Sequence, residues 1–163
     1  MLLSSCTGDD SSEDDPDRAQ INEGLAAIYA GDHASEEDTA AGECFADELS
    51  DVSEEQLRDA GIVDDSGEVV AELPPLDEAL AQTWVAAQLD CADFVEASTR
   101  AQQRVTKGKI DPERYADCLR GELTEEQMRD ALVATMQAEF GDPAVAALAG
   151  AQDTCSREAT PTD

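Results

Sequence analysis

Apolar residues in this chain recur at helical spacing, and polar clusters cut that pattern into short pieces. Ile21, Leu25, Ile28 and Tyr29 share a face between Asp17 and Ala30, closed by Gly31. Ser35 can cap a helix to about Leu49, with Ala41, Cys44, Phe45 and Leu49 along one stripe. Ser53 with Gln56, and Thr124 with Gln127, have capping-box spacing. Gly61-Ile62-Val63 and Glu68-Val69-Val70 flank Asp64-Asp65-Ser66-Gly67, which reads as a small hairpin or an irregular loop. Pro74-Pro75 opens the longest predicted helix, to about Val105, with Leu76, Leu80, Trp84, Ala87, Cys91, Phe94/Val95 and Ser98 on one face. Asp111-Pro112 and Asp142-Pro143 start two more helices, each with proline just inside the cap. A helix from Thr124 carries Met128, Leu132, Met136 and Phe140 inward and stops at Gly141. The last helix aligns Val145, Leu148, Gln152 and Cys155, with fraying expected beyond Arg157. Helix, short turn, helix throughout predicts an all-α fold.

Two stretches repeat each other. Cys44-x4-Leu49 precedes Ser53-Glu54-Glu55-Gln56-Leu57-Arg58-Asp59-Ala60, and Cys118-x4-Leu123 precedes Thr124-Glu125-Glu126-Gln127-Met128-Arg129-Asp130-Ala131. One further cysteine follows each, Cys91 and Cys155. The predicted unit is a cysteine helix, a capping-box helix and a second cysteine helix. Unit one spans about 35–105 and unit two about 109–158, within a helical domain of 18–158 followed by a frayed tail at 159–163. A single unit buries little surface, so the two are expected to share one core as a pseudo-symmetric bundle.

Cysteine arithmetic strengthens that picture. Cys44, Cys91, Cys118 and Cys155 are an even set, which suits a disulfide framework outside a reducing cytosol. Of the three possible connectivities, the duplication favours Cys44–Cys91 and Cys118–Cys155, which keep each bridge within its unit. Zinc is the rival reading. No pair has Cys-x-x-Cys spacing and the single histidine is His33, so metal is not expected.

Composition narrows the function classes. Aromatics are 4% of the 163 residues, so the core must come largely from Ala, Leu and Val. Small side chains bury little area each, at roughly 25 cal/mol per Å², and covalent staples would compensate. Against 39 acidic residues stand 10 basic ones, a net charge of −29. That argues against nucleic acid and against adsorption to anionic lipid heads. It leaves a cationic partner, or simply a solvated surface that keeps the protein soluble.

At the N-terminus, Leu3-Ser4-Ser5-Cys6 resembles the end of a bacterial lipobox, an aliphatic residue and two small ones before cysteine. Thr7 to Asp17 is polar, acidic and Ser-rich, as a tether between an anchored cysteine and a folded domain would be. Residues 1–17 then form a lipobox remnant and tether, with Cys6 the expected lipidation site. Only Met1-Leu2-Leu3 precede Ser4-Ser5-Cys6, without the apolar stretch a signal needs, so either a longer leader is expected ahead of this start or the segment is not a signal. With the paired cysteine units, this layout resembles small, Ala-rich, acidic helical lipoproteins or secreted proteins of high-GC Gram-positive bacteria. The resemblance implies an extracytoplasmic protein anchored to the cell membrane, or secreted if the box is not used. It carries over no catalytic residue.

No Gly-rich phosphate loop, His-Glu-x-x-His or Gly-x-Ser-x-Gly is present. His33 reads as a loop histidine, and Glu54-Glu55 and Glu125-Glu126 as first-turn acids that favour the helix dipole. Asp64 to Glu68 faintly resembles a calcium loop but lacks its glycine and closing glutamate. Tyr29, Trp84 and Tyr115 could line a small-molecule pocket, although aromatic residues on apolar stripes usually belong to a core. The leading expectation is a non-catalytic, envelope-anchored module that binds an envelope protein or a wall component and carries no cofactor. The alternatives are a small-molecule or haem carrier with a pocket between the units and, more remotely, a wall-acting hydrolase using paired acids.

Overall fold

The computed structural model describes residues 16–32 and 34–161. Cys6, the lipobox, most of the acidic tether and His33 lie outside the described residues. Among the described residues there are eight helices and no strand: α1 (Pro16–Ala30), α2 (Glu36–Glu48), α3 (Glu54–Asp59), α4 (Glu78–Cys91), α5 (Phe94–Val105), α6 (Pro112–Glu122), α7 (Glu125–Met136) and α8 (Pro143–Ala159). The fold is an all-α bundle stapled by two disulfides, and their pairing is the one the duplication favours, Cys44–Cys91 and Cys118–Cys155.

Short polar side chains start these helices. Ser35, Ser53, Asp77, Asp93, Asp111, Thr124 and Asp142 each accept a hydrogen bond from a first-turn backbone N–H. Each such cap contributes about 1 kcal/mol. Both predicted boxes form, with Gln56 and Gln127 reaching back to their caps. Three helices close with reciprocal bonds around a left-handed residue. After α3 this is Gly61 (φ 73°), but after α5 and α7 it is Lys107 (φ 54°) and Ala138 (φ 58°). At the last, Glu139 N–H donates to Ala134 O and Ala138 N–H to Thr135 O.

Several boundaries differ from the sequence expectation. The long helix from Pro74-Pro75 to Val105 is two helices, α4 and α5. Ala92 turns extended, and Asp93 caps α5 by accepting from Glu96 N–H at 2.9 Å. The break is invisible to periodicity because Val95, the first buried residue of α5, falls one helical repeat after Cys91. Proline does not open α4, which starts after the Asp77 cap, while Leu76 N–H donates to Met136 O. Helix α7 stops at Met136, and Phe140, expected to face inward, is 70% exposed. Beyond Arg157 the chain does not fray at once: Ala159 is buried and its carbonyl accepts from Asp111 N–H. The segment at 61–70 is a minimal hairpin with one antiparallel bridge, Val63 to Val69.

The expected single shared core is two cores. The first gathers Ile21 and Leu25 of α1, Phe45 of α2 with Leu49 at its C-terminal cap, Leu57 of α3, the loop residues Ile62 and Leu76, and Trp84 of α4. The second gathers Val95 of α5, Tyr115 and Leu119 of α6, Met128 of α7, and Leu148 and Cys155 of α8. Thus α5, placed by the sequence reading at the end of unit one, packs in the core of unit two. The repeat is four helices long, α1–α4 and α5–α8, with each staple joining the second helix to the fourth. Buried residues keep register across it. Ile21 and Leu25 stand before Cys44 as Val95 and Thr99 stand before Cys118, and Phe45 and Leu49 follow as Leu119 and Leu123 do. Trp84 and Ala87 precede Cys91 as Leu148 and Ala151 precede Cys155.

The units meet along two lines. Val133 and Met136 of α7 pack against the first core beside α4. On the other side, Arg100 of α5 donates to Asp38 of α2 at 3.2 Å, and Arg104 reaches the same carboxylate at 3.3 Å.

Candidate functional site

The aromatic residues do not form one pocket. Tyr29 stacks on Phe45 with ring centroids 4.8 Å apart, and Phe45 meets Trp84 edge-on at 4.8 Å. These rings fill the first core. Tyr115 lies in the second, with its hydroxyl 3.3 Å from Ser98 Oγ. Burial raises the Tyr29 pKa, with the Arg100 charge opposing it, so the phenol stays neutral. The four cysteines lie in two bridges with Cα–Cα distances of 5.7 and 5.5 Å. They have no free thiol to offer as nucleophile or ligand. Asp64 is held low by hydrogen bonds from the Ser66 hydroxyl and the Glu68 backbone N–H, and so serves its own turn.

The feature best suited to binding is a surface groove that the sequence reading missed. Helices α1 and α2 are joined by a short turn through Gly31 (φ 76°) and lie against each other as a hairpin. Their close approach depends on Gly42, where a Cβ would stand 2.5 Å from the Ala26 carbonyl oxygen. Beside this contact runs a cleft of about 580 Å³. Ala26, Ala30 and Ala46 line its base, with exposed carboxylates of Glu23, Asp32, Glu43 and Asp47 around it. Among the described residues lining it there is no Lys or Arg. None of these four carboxylates forms an ion pair with a described residue. Asn22 also lines the groove, and its buried Oδ1 has no hydrogen-bond partner.

Unit two holds the same groove with different contents. Between α5 and α6 lies a cleft of about 560 Å³ lined by Glu96, Arg100, Glu113, Asp117 and Arg120, among others. By the register of the repeat, these positions correspond to Asn22, Ala26, Thr39, Glu43 and Ala46. Arg104 likewise corresponds to Ala30. Where unit two places arginines among its carboxylates, unit one places alanines. Both arginines of unit one are engaged elsewhere: Arg18 donates to the Val52 and Leu49 carbonyls, and Arg58 pairs with Glu54.

The arginines of unit two also shape the boundary between units. Asp38 is partly withdrawn from water, which pushes its carboxyl up, but hydrogen bonds from the Ser35 backbone and hydroxyl and the Arg100 guanidinium outweigh this. The net effect holds Asp38 below the ordinary carboxylate range.

The first groove therefore presents four carboxylates, none ion-paired to a described residue, around a small-residue base. It offers no activated nucleophile. No protein-family model matches this chain, and no curated protein and no solved structure is significantly similar to it.

Proposed function

We propose that this protein is a non-catalytic binding module of the bacterial cell envelope, anchored through a lipid on Cys6, with the α1–α2 groove as its binding face. The observation that carries the reading is the contrast between the two grooves. The groove of unit two sets Arg100 and Arg120 among its four carboxylates, and Arg100 pairs there with Glu37. That of unit one holds four carboxylates with no arginine and no ion pair among the described residues. The two disulfides indicate an oxidising, extracytoplasmic environment. Among the described residues no helix is long and apolar enough to cross a membrane. Anchoring rests on the Leu3-to-Cys6 resemblance and on the acidic run that follows it. The carrier alternative has less support, because Tyr29, Trp84 and Tyr115 pack against core side chains and line neither groove.

The test is photo-crosslinking in the envelope of the producing cell, with the crosslinker at Asp47 in the groove or at Glu126 on the N-terminal turn of α7. The reading expects a discrete adduct from Asp47 and none from Glu126. Equal adducts from both sites, or none from either, would remove the groove as the binding face.

A further inference from the structure

Resting on that reading, we infer that the α1–α2 groove takes an arginine-bearing helical segment of a protein partner. Unit two shows which cations a groove of this shape places among its carboxylates. Its side chains at the positions of Ala26, Ala30 and Ala46 are Arg100, Arg104 and Arg120: Arg100 meets Glu37 inside the groove at 3.7 Å and Asp38 beside it, Arg104 meets Asp38, and Arg120 approaches Asp93. Unit one keeps the carboxylate at the matching site, Glu43 for Asp117, and adds Glu23, Asp32 and Asp47. It has lost the guanidinium groups. A partner that supplies them restores the arrangement.

Charge excludes the nearest competitors for the groove. A second copy of this chain carries the same −29, and the chain's own N-terminal run is acidic. Unit one is the more strongly charged half. Residues 16–91 hold twenty Asp and Glu against two Arg, while 92–161 hold thirteen against eight Arg and Lys. A cationic partner is therefore drawn to unit one from a distance. Shape selects among cations. The base of the groove follows α1 from Asn22 to Ala30 and is lined by alanine. An alanine-lined groove between two helices admits a third helix at close range, with apolar side chains on the small residues and its charged ones at the edges. A free amine or guanidinium would meet the carboxylates but leave the alanines uncovered.

The experiment uses the full chain with both disulfides intact. The probe is a fluorescein-labelled twelve-residue Ala/Leu peptide with arginines at i and i+4, compared with the same peptide carrying Glu for Arg. Binding is read by anisotropy at several salt concentrations. The arginine peptide should bind saturably, weaken as salt rises, and bind at least tenfold more tightly than the glutamate peptide. Ala26→Arg with Ala30→Arg, which installs the unit-two side chains, should weaken binding at least tenfold. If that variant loses helicity, Glu23→Gln/Glu43→Gln/Asp47→Asn, all at exposed positions, should show the same loss. Glu122→Gln/Glu126→Gln changes the net charge by as much as the arginine pair and should leave binding within twofold.

Equal loss in that control would mean a general attraction to the acidic surface and would overturn the inference. So would no arginine-peptide binding, or displacement of the peptide by arginine amide at equal concentration. If such failure came with an intact Asp47 crosslink, the groove would stand as the binding face and only its occupant would be wrong. Loss of both would retire the whole reading.

Discussion

Units one and two share a helix order, a staple position and a buried register, yet they solve stability and charge differently. Unit one fills its core with large side chains, Phe45, Trp84, Ile21 and Leu25, and leaves the carboxylates of its α1–α2 groove without ion pairs to described residues. Unit two builds with Val95, Ala131, Ala151 and Ala159 around Tyr115 and Leu119, and spends arginines on its own groove and on the boundary with unit one. A duplicated fold thus separates two tasks. One copy gives up a large-residue core and supplies internal counter-charge, while the other keeps the larger core and an unneutralised face. A surface that repels itself costs stability, and burial of large side chains such as Phe45 and Trp84 in unit one acts against that cost.

The contrast can be broken most strongly at the core. Trp84→Ala should cost about 3–5 kcal/mol in chemical denaturation, because it leaves a cavity beside Phe45. Leu148→Ala, at the matching position of unit two, removes a smaller and less deeply buried side chain and should cost less. Equal losses would mean that the two cores bear load alike.

The staples come next. Replacing either pair with alanine should cost about 2–4 kcal/mol, mainly by freeing the unfolded chain. Their sequence separations, 47 and 37, are close enough that the staples themselves do not distinguish the units. The cores should. During titration with reductant, far-ultraviolet circular dichroism should fall before Trp84 fluorescence shifts, because Trp84 lies within the core of unit one. A simultaneous change would show that the units unfold as one.

Helix spacing gives a third test. Gly42→Ala must push α1 from α2, since the added methyl meets the Ala26 carbonyl, at a cost of about 1–3 kcal/mol. Unit two already carries alanine, Ala116, at the matching position, so Ala116→Gly should change stability far less.

Acid should loosen the boundary between the units. The Asp38 carboxyl is held low in the folded state. Its contribution is therefore complete above the ordinary Asp pKa of about 3.9 and is lost as pH falls through the lowered folded value. Stability measured from pH 6 to pH 2 should fall more steeply in the native protein than in Asp38→Asn. Parallel curves would remove Asp38 as the clasp between Arg100 and Arg104.

The smallest effect lies at a turn. Ala138 sits at φ 58°, where a side chain is disfavoured. Ala138→Gly should stabilise by about 0.5–1 kcal/mol in thermal or chemical unfolding. The α3 terminus already has glycine there, Gly61, so Gly61→Ala should move the other way.

Much of this architecture was legible in the chain. The capping boxes at Ser53 and Thr124, the Asp-Pro starts and the paired cysteines are local signals, and each forms as read. Two features were hidden for physical reasons. The break at Ala92 falls between helices whose buried stripes stay in phase, so only the Asp93 cap betrays it. The first helix of each unit was not paired with its counterpart because the repeat there survives in burial rather than in residue identity, as with Leu25 and Thr99. The groove is hidden for the same reason. Its meaning lies in setting Ala26 and Ala30 beside Arg100 and Arg104, which requires counting back from Cys44 and Cys118 together.

Hydrogen exchange on the full, oxidised chain, with and without the arginine peptide, tests the contrast between the units most directly. The account predicts new protection in α1 and α2, from about Asn22 to Asp47, with α5 and α6 unchanged. Protection that fell equally on α5 and α6, or on them alone, would contradict it.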